Sequence, residues 1–584
     1  MNPLGLIFGE NILKNRNIQY KAEGKHRDTF YRFYLFIAIL LVGFALLFIR
    51  LFTLTMLEGA SFRKLSSENR VREANLPATR GIIYDRNKNP LVRNIPVYTG
   101  IDGKILFNKP FDEAQDKSRE KELFIESATR EYIYGEIFGN LIGYTGEASP
   151  SDLKKLASLG EKTDIRPLKL KDKVGKMGVE EAFDETLRGR DGQELYEVDA
   201  TGKYVRTLGI AESRTGVSLN LNIDLNLSKA ADQLMKGRRG AVVVSIPNSG
   251  EILVLYSSPN FDPNKILKAE DLDAIFESTD KPLFNRSISG VYPPGSTFKI
   301  ITSLAGLESG AVKAQTTIED TGIIKIGDKY SYSNWYFTQY GKIEGQVNLV
   351  RALQRSNDIY FYKIGEKTGI ATLADWGKKL GIGKRLGIEI SGEEAGLMPD
   401  PVWRARSKGE DWFLGNTYHT AIGQGDVLVT PLQVNFWTNV IANGGKLCRP
   451  YLVANKNPQC EALPIKKENI EIVREGLIKA CQEGGTGWPL FNFKINSDKL
   501  KIDKINFIES EASGGAKMTG ITTACKTGTA EFGHPKNLTH AWFTVFAPAY
   551  SPQISVTVLV EEGGEGSSVA APIARELLKV WFER

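Results

Sequence analysis

The chain has 584 residues, 42% of them hydrophobic, enough to bury a full core and to form more than one domain. Its formal net charge is only +6, and the lysines and arginines are dispersed among acids, which gives no case for nucleic-acid binding. Four cysteines (Cys448, Cys460, Cys481, Cys525) show neither Cys-x-x-Cys spacing nor a histidine at ligand spacing, so a zinc site is not expected. Buried unpaired thiols are the default expectation. One disulfide stays open if the domain lies outside the cytoplasm, with a connectivity that spacing cannot give.

Residues 1–32 are polar, mixed in charge and without apolar periodicity, and read as a cytoplasmic tail. Phe33 to Ile49 carries no charge; after Arg50, Leu51 to Leu57 is apolar again except for two threonines. The run is long enough to span a bilayer, with Arg50 reaching back to the interface. No Ala-x-Ala-like site follows it, so residues 33–57 are expected to be an uncleaved anchor. Basic residues flank it equally, so the positive-inside rule does not orient it.

Ile82 and Ile83 before Asp85-Arg86-Asn87 suggest a short strand and a turn. The charged stretch 111–131 is compatible with a helix that has a solvated face. Asp152 to Leu159 and Gly175 to Arg190 read as helices, and Glu194 to Val198 as a strand. No paired acids in an apolar setting are recognisable, so residues 58–212 are expected to form a non-catalytic α+β pedestal. Residues 213–584 form the second domain: a strand at Val217 to Ile223, a helix from Asp224 to Met235, and a hairpin of Gly240 to Ile246 and Glu251 to Tyr256.

The stretch that organises this domain is Tyr292-Pro293-Pro294-Gly295-Ser296-Thr297-Phe298-Lys299. The prolines and glycine should turn the chain into a helix on which Phe298, Ile301, Leu304, Ala305 and Leu307 recur at helical spacing, closed by Gly310. Ser296 and Lys299 then share a face, where a neutral amine can take the hydroxyl proton and make the serine a nucleophile. Ser-x-x-Lys alone is uninformative: it recurs at Ser61/Lys64, Ser118/Lys121 and Ser151/Lys154, all read as solvated polar residues. Further on, Ser356-Asn357-Asp358 opens an apolar-aromatic helix. Lys526-Thr527-Gly528-Thr529 lies in extended sequence ahead of two strands, Ala541 to Ala547 and Ile554 to Glu561. A second Lys-Thr-Gly at Lys367-Thr368-Gly369 is better explained as helix termination at glycine. Residues 488–520 are a polar insertion of no evident role.

Ser296/Lys299, Ser356-x-Asp358 and Lys526-Thr527-Gly528-Thr529 fall in the order of the three motifs of penicillin-recognising serine acyl-transferases. With Arg80-Gly81-Ile82-Ile83-Tyr84-Asp85-Arg86, Ala421-Ile422-Gly423-Gln424-Gly425 and Trp542-Phe543, the chain resembles the class B penicillin-binding proteins, the elongation type more than the division type. The resemblance covers nearly everything from residue 33 onward. It implies a membrane-anchored α+β protein whose C-terminal domain is a central antiparallel sheet flanked by helices. It implies, too, a peptidoglycan D,D-transpeptidase of cell-wall elongation and shape, inhibited by β-lactams. The roles it carries are Ser296 as nucleophile, Lys299 as base, Ser356 as proton relay, Asp358 as holder of Lys299 and the substrate amide, and Lys526 and Thr527 as carboxylate binders. The backbone N–H groups of Ser296 and Thr529 would form the oxyanion hole. Implied partners are stem peptides, the cytoplasmic membrane, a glycosyltransferase and elongation-complex proteins; the catalytic domain would be extracytoplasmic. No cofactor or metal is expected, since no histidine lies between His26 and His419. A D,D-carboxypeptidase and a catalytically silent scaffold or β-lactam sensor remain as alternatives.

Overall fold

A computed structural model describes residues 26–100, 105–106, 124–159, 170, 172–199, 201, 204–496, 508–511, 517–533 and 536–583. Chain contacts divide them into two units, residues 1–74 with 193–210 and residues 75–192 with 211–584. In the first unit, helix α1 (His26–Phe52) runs on through a wider turn, Thr53–Leu57. Tyr31–Leu57, with mean hydropathy 2.8 over its most apolar 18 residues, is long and apolar enough to cross a membrane, the one such helix among the described residues. Strand β1 (Val71–Leu76) pairs with β5 (Gly192–Val198), which pairs with β6 (Tyr204–Ala211).

The second unit begins with a small sheet. Its strands are β2 (Ile83–Tyr84), β3 (Pro90–Gly100), the short Ile105–Leu106 beside β3, β4 (Phe124–Tyr132) and β7 (Leu219–Asn220), the last parallel to β2. The solvated helix expected over 111–131 is not found: its described part belongs to β4, paired along its length with β3, and the rest lies outside the described residues. Cross-strand pairing decides what local charge pattern could not. Nor is 175–190 one helix. It is a strand ending at Gly175, then α2 (Gly178–Ala182) and α3 (Asp184–Arg188), separated at the non-helical Phe183.

The expectation of no paired acids in the pedestal region is wrong. Glu180 and Asp184 are buried, and Arg80 reaches both, at 2.7 Å from each; Arg130 reaches Glu180, also at 2.7 Å. Arg130 also donates to the Gly81 carbonyl at 2.8 Å, so the Arg80-Gly81 stretch is a structural knot tied by side chains 50 and 100 residues away.

The second sheet has the order β9 (Ile252–Ser258), β8 (Gly240–Ser245), β12 (Ile554–Val560), β11 (Thr539–Ala547), β10 (Ala524–Glu531), every pair antiparallel. Period-2 alternation gives it two apolar faces. Trp542 and Phe546 of β11 join the core around Phe298, Ile301, Leu304 and Trp437, whereas Phe543 and Val545 join that of Leu227, Val558, Leu577 and Phe582. On one side lie α5 (Lys299–Glu308) and α9 (Pro431–Ala442), the latter buried throughout; on the other lie α4 (Leu225–Met235) and α11 (Ala571–Phe582). Helices α7 (Leu349–Arg355), α8 (Asp358–Thr368) and α10 (Lys467–Ala480) complete the layer with α5, while α6 (Trp335–Tyr340) has no buried residue.

Two expectations about the cysteines change. The four thiols are not free: Cys448 pairs with Cys460, and Cys481 at the end of α10 pairs with Cys525 of β10. Within the insertion, Lys494–Asn496, Ile508–Glu511 and Lys517–Gly520 form a three-stranded sheet; residues 497–507 and 512–516 lie outside the described residues.

Candidate active site

Gly295 takes φ +52°, a conformation that costs glycine little, and the chain makes one tight turn (Gly295–Phe298) before α5 starts at Lys299. A Cβ on Gly295 would stand 2.8 Å from the carbonyl oxygen of Thr529. Its N–H donates to the Gly423 carbonyl at 2.9 Å, and Trp542 Nε1 donates to that of Pro293 at 2.9 Å. A side chain on Gly528 would likewise meet Trp542 Cβ and the Pro294 carbonyl. The three glycines at 295, 423 and 528 thus let three backbones close on half-buried Ser296, bringing its turn against Thr529 of β10.

Lys299, the first residue of α5, is fully buried. Its Nζ donates to Asp358 Oδ1 at 2.6 Å, to the Ser356 carbonyl at 2.8 Å and to Ser356 Oγ at 3.3 Å. No hydrogen bond links Lys299 to Ser296, and the Ser296 hydroxyl has no partner among the described residues. The expected serine–lysine contact is therefore unmade in this structure, in which Asp358 Oδ1 and the Ser356 carbonyl take the amine.

Ser356 sits at the break between α7 and α8 with φ +54°, unusual for a residue with a Cβ. The break aims its hydroxyl between two lysines, for Lys526 Nζ donates to the same Oγ at 2.8 Å and to the Thr527 carbonyl at 3.0 Å. Burial, opposed by Asp358, holds the Lys299 amine below the usual lysine range. Burial, with Lys299 adding like charge, holds Lys526 well below it. Asp358 uses its second oxygen to accept the Trp335 N–H at 3.0 Å. Thr527 is nearly buried and shares a hydroxyl hydrogen bond with Thr486 at 2.8 Å, while the Thr529 side chain is exposed.

The other Ser-x-x-Lys serines lie elsewhere: Ser61 bonds its own helix at the Glu58 carbonyl, Ser151 pairs with Ser149, and Ser118 lies outside the described residues. Lys367-Thr368-Gly369 ends α8, with Gly369 at φ +77°.

Sequence reasoning missed the layer behind these groups. Buried Asp320 accepts from Asn334 Nδ2 at 2.8 Å and from Asn357 Nδ2 at 2.9 Å; Asn334 Oδ1 accepts the Asp358 N–H at 3.1 Å. Asn357 caps α8 through the Tyr360 N–H. The one local signal was Asp320-Thr321-Gly322, a turn in which Asp320 accepts the Gly322 N–H, and it does not announce a partner 37 residues on.

A buried amine held below its usual pKa near a half-buried serine, with a second buried lysine on the adjoining strand, can run acyl transfer. Comparison with known proteins agrees. Residues 240–579 match the family described as penicillin binding protein transpeptidase domain, and residues 120–221 that described as penicillin-binding protein dimerisation domain. The peptidoglycan D,D-transpeptidase MrdA of Acinetobacter baumannii is 31% identical over 94% of this chain and 88% of its own length. The penicillin-binding protein PBP2 of Helicobacter pylori, solved in complex with MreC, aligns with a TM-score of 0.71 at 27% identity, over 88% of this chain and 98% of that one. A chain of a structure described as "Structural coordination of polymerization and crosslinking by a peptidoglycan synthase complex" aligns with a TM-score of 0.70 at 25% identity, over 96% of this chain and 99% of that one. With its three motifs meeting around one hydroxyl and a family match over more than half its length, the chain belongs to the penicillin-binding protein transpeptidase family.

Proposed function

We propose that this chain is a membrane-anchored peptidoglycan D,D-transpeptidase acting in cell-wall elongation. The observation that carries the reading is the sharing of Ser356 Oγ by Lys299 and Lys526, which gives a proton path between two buried amines. Ser296 Oγ attacks the carbonyl of the penultimate D-alanine and passes its proton to neutral Lys299. The acyl-oxygen bond forms, and the peptide bond to the terminal D-alanine breaks. Its amine leaves with a proton delivered through Ser356. An amine of a second stem peptide then attacks the ester, giving its proton back along the same path and releasing Ser296. Asp358 holds Lys299 and, in this reading, pairs with the substrate amide. Lys526 and Thr527 take the terminal carboxylate, and Gly528 leaves room for the turn. The N–H groups of Ser296 and Thr529 receive the oxyanion, a hole of a kind that lowers a barrier by about 3–4 kcal/mol.

Two disulfides support an oxidising, extracytoplasmic location for the catalytic domain, with Tyr31–Leu57 as a single pass through the cytoplasmic membrane. The likeness to a PBP2 solved with MreC and to a peptidoglycan synthase complex supports partners of the same kind here: elongation-complex proteins and a glycosyltransferase. In intact-mass measurement after incubation with a penicillin, one stable adduct should form on the peptide bearing Ser296. Cross-linked product should appear from lipid-linked disaccharide-pentapeptide once a glycosyltransferase is added. An adduct elsewhere, or none, defeats the proposal. The full-length protein should also stay with membranes through a high-salt wash, since apolar insertion is not screened by ions; release by salt would make it peripheral.

A further inference from the structure

Between α10 and the next turn, residues 481–487 make a loop that touches both halves of the site. At one end Cys481 is bonded to Cys525, the residue before Lys526. At the other, Thr486 Oγ1 lies 2.8 Å from Thr527 Oγ1, and Gly487 is so close that a Cβ there would stand 2.5 Å from Cys525 Sγ. In between, the Gly484 carbonyl accepts from Arg355 Nη1 at 3.0 Å and the Glu483 carbonyl from Gln354 Nε2 at 3.4 Å, both at the end of α7 just ahead of Ser356. The loop thus bridges the Ser356 break and the Lys526 strand.

We propose that Thr486 is a positioning residue of the acyl-transfer site, orienting the Thr527 hydroxyl toward the substrate's terminal carboxylate, on a loop held in place by Cys481–Cys525. This rests on the role given to Thr527 above. A hydroxyl has one proton to donate and two lone pairs to receive. To bind an anion Thr527 must donate, and it keeps its proton aimed that way when Thr486 donates into its oxygen. Valine at 486 keeps the shape and loses the donor, leaving the Thr527 hydroxyl free to rotate away. Serine keeps the donor.

The test uses the full-length protein and compares second-order acylation rates for a penicillin and for its methyl ester, which lacks the anion. Thr486→Val should slow the acid about tenfold, the scale of one hydrogen bond to a charged group, and the ester less than about twofold. Thr486→Ser should recover the acid's rate. Equal losses with acid and ester would reduce Thr486 to general support of the strand and overturn the proposal, as would an unchanged acid rate. Where Thr486→Val fails to fold, the Cys481→Ser/Cys525→Ser pair carries the test: the same acid-selective loss supports the proposal and its absence overturns it. If the wild type is not acylated at Ser296 at all, the functional reading falls and takes this inference with it; loss of acid selectivity alone sinks only the inference.

Discussion

Two buried clusters of charge in this molecule invite comparison. In the pedestal region Arg80 and Arg130 face Glu180 and Asp184, all four nearly or fully buried, with half-buried Arg188 also 3.7 Å from Asp184, so that each arginine meets a carboxylate directly. In the catalytic domain Lys299 pairs with Asp358, while Lys526 meets Ser356 Oγ and the Thr527 carbonyl and no carboxylate among the described residues. Burial works against the Arg80 charge, but Glu180 and Asp184 outweigh it and raise its pKa, so the guanidinium is more firmly charged than in water. Burial drives both lysines down, and one carboxylate cannot restore two ammoniums. Depth alone therefore does not mark a functional site. A cluster in which every cation meets a carboxylate directly makes a strut; one in which a buried lysine has no carboxylate of its own keeps an amine ready to accept a proton.

The sharpest break in that comparison should come from Ser296→Ala. It removes the atom that forms the covalent bond, so penicillin labelling should vanish. Stability should change by less than about 0.5 kcal/mol, since the hydroxyl makes no hydrogen bond among the described residues. Labelling that persists in a denaturing gel would remove Ser296 from the mechanism.

Glu180→Ala tests the strut. It leaves Arg130 without its carboxylate and Arg80 with Asp184 only, and removing one partner of a buried ion pair costs about 3–5 kcal/mol. The denaturant midpoint should fall by a corresponding amount, while the acylation rate per folded molecule stays that of the wild type. A midpoint within error of wild type would show that the cluster is not structural.

The contrast also explains what could be read in advance. Ser296, Lys299, Ser356, Asp358 and Lys526 were legible because each sits in a short motif whose local geometry does its work: a proline-glycine turn, a helix break, a strand beside a hairpin. The β8–β9 hairpin and the helix stop at Gly310 were legible for the same reason. Glu180 was not, since its partners lie 50 and 100 residues away and its apolar neighbours Val179 and Phe183 do not reveal an arginine pairing before the chain has folded. Asp320 and the Cys481–Cys525 pair failed likewise, being meaningful only through contacts 37 and 44 residues off. The strand β4 was hidden because its residues look solvated, and pairing with β3 overrode that pattern.

The smallest effect, and the one that probes the charge imbalance most directly, is expected from Asp358→Asn. In the native site the carboxylate raises the Lys299 pKa against the lowering by burial. Asparagine keeps an oxygen to accept from Nζ and loses the negative charge, so only the lowering remains and the amine becomes neutral at lower pH. Acylation needs the neutral amine, and so the acidic limb of the rate profile marks where Lys299 loses its proton. The limb should therefore move to lower pH in the variant. A displacement of one unit, about 1.4 kcal/mol, is easily seen in second-order acylation rates measured from about pH 5 to 9. Glu180→Gln, by contrast, removes a charge from the pedestal cluster and should leave the profile where it is. If the Asp358→Asn profile overlies the wild type, Lys299 is not the group that titrates on the acidic limb. If it moves to higher pH, the asparagine has withdrawn a contact the neutral amine needs, and the electrostatic account of Asp358 gives way to a geometric one.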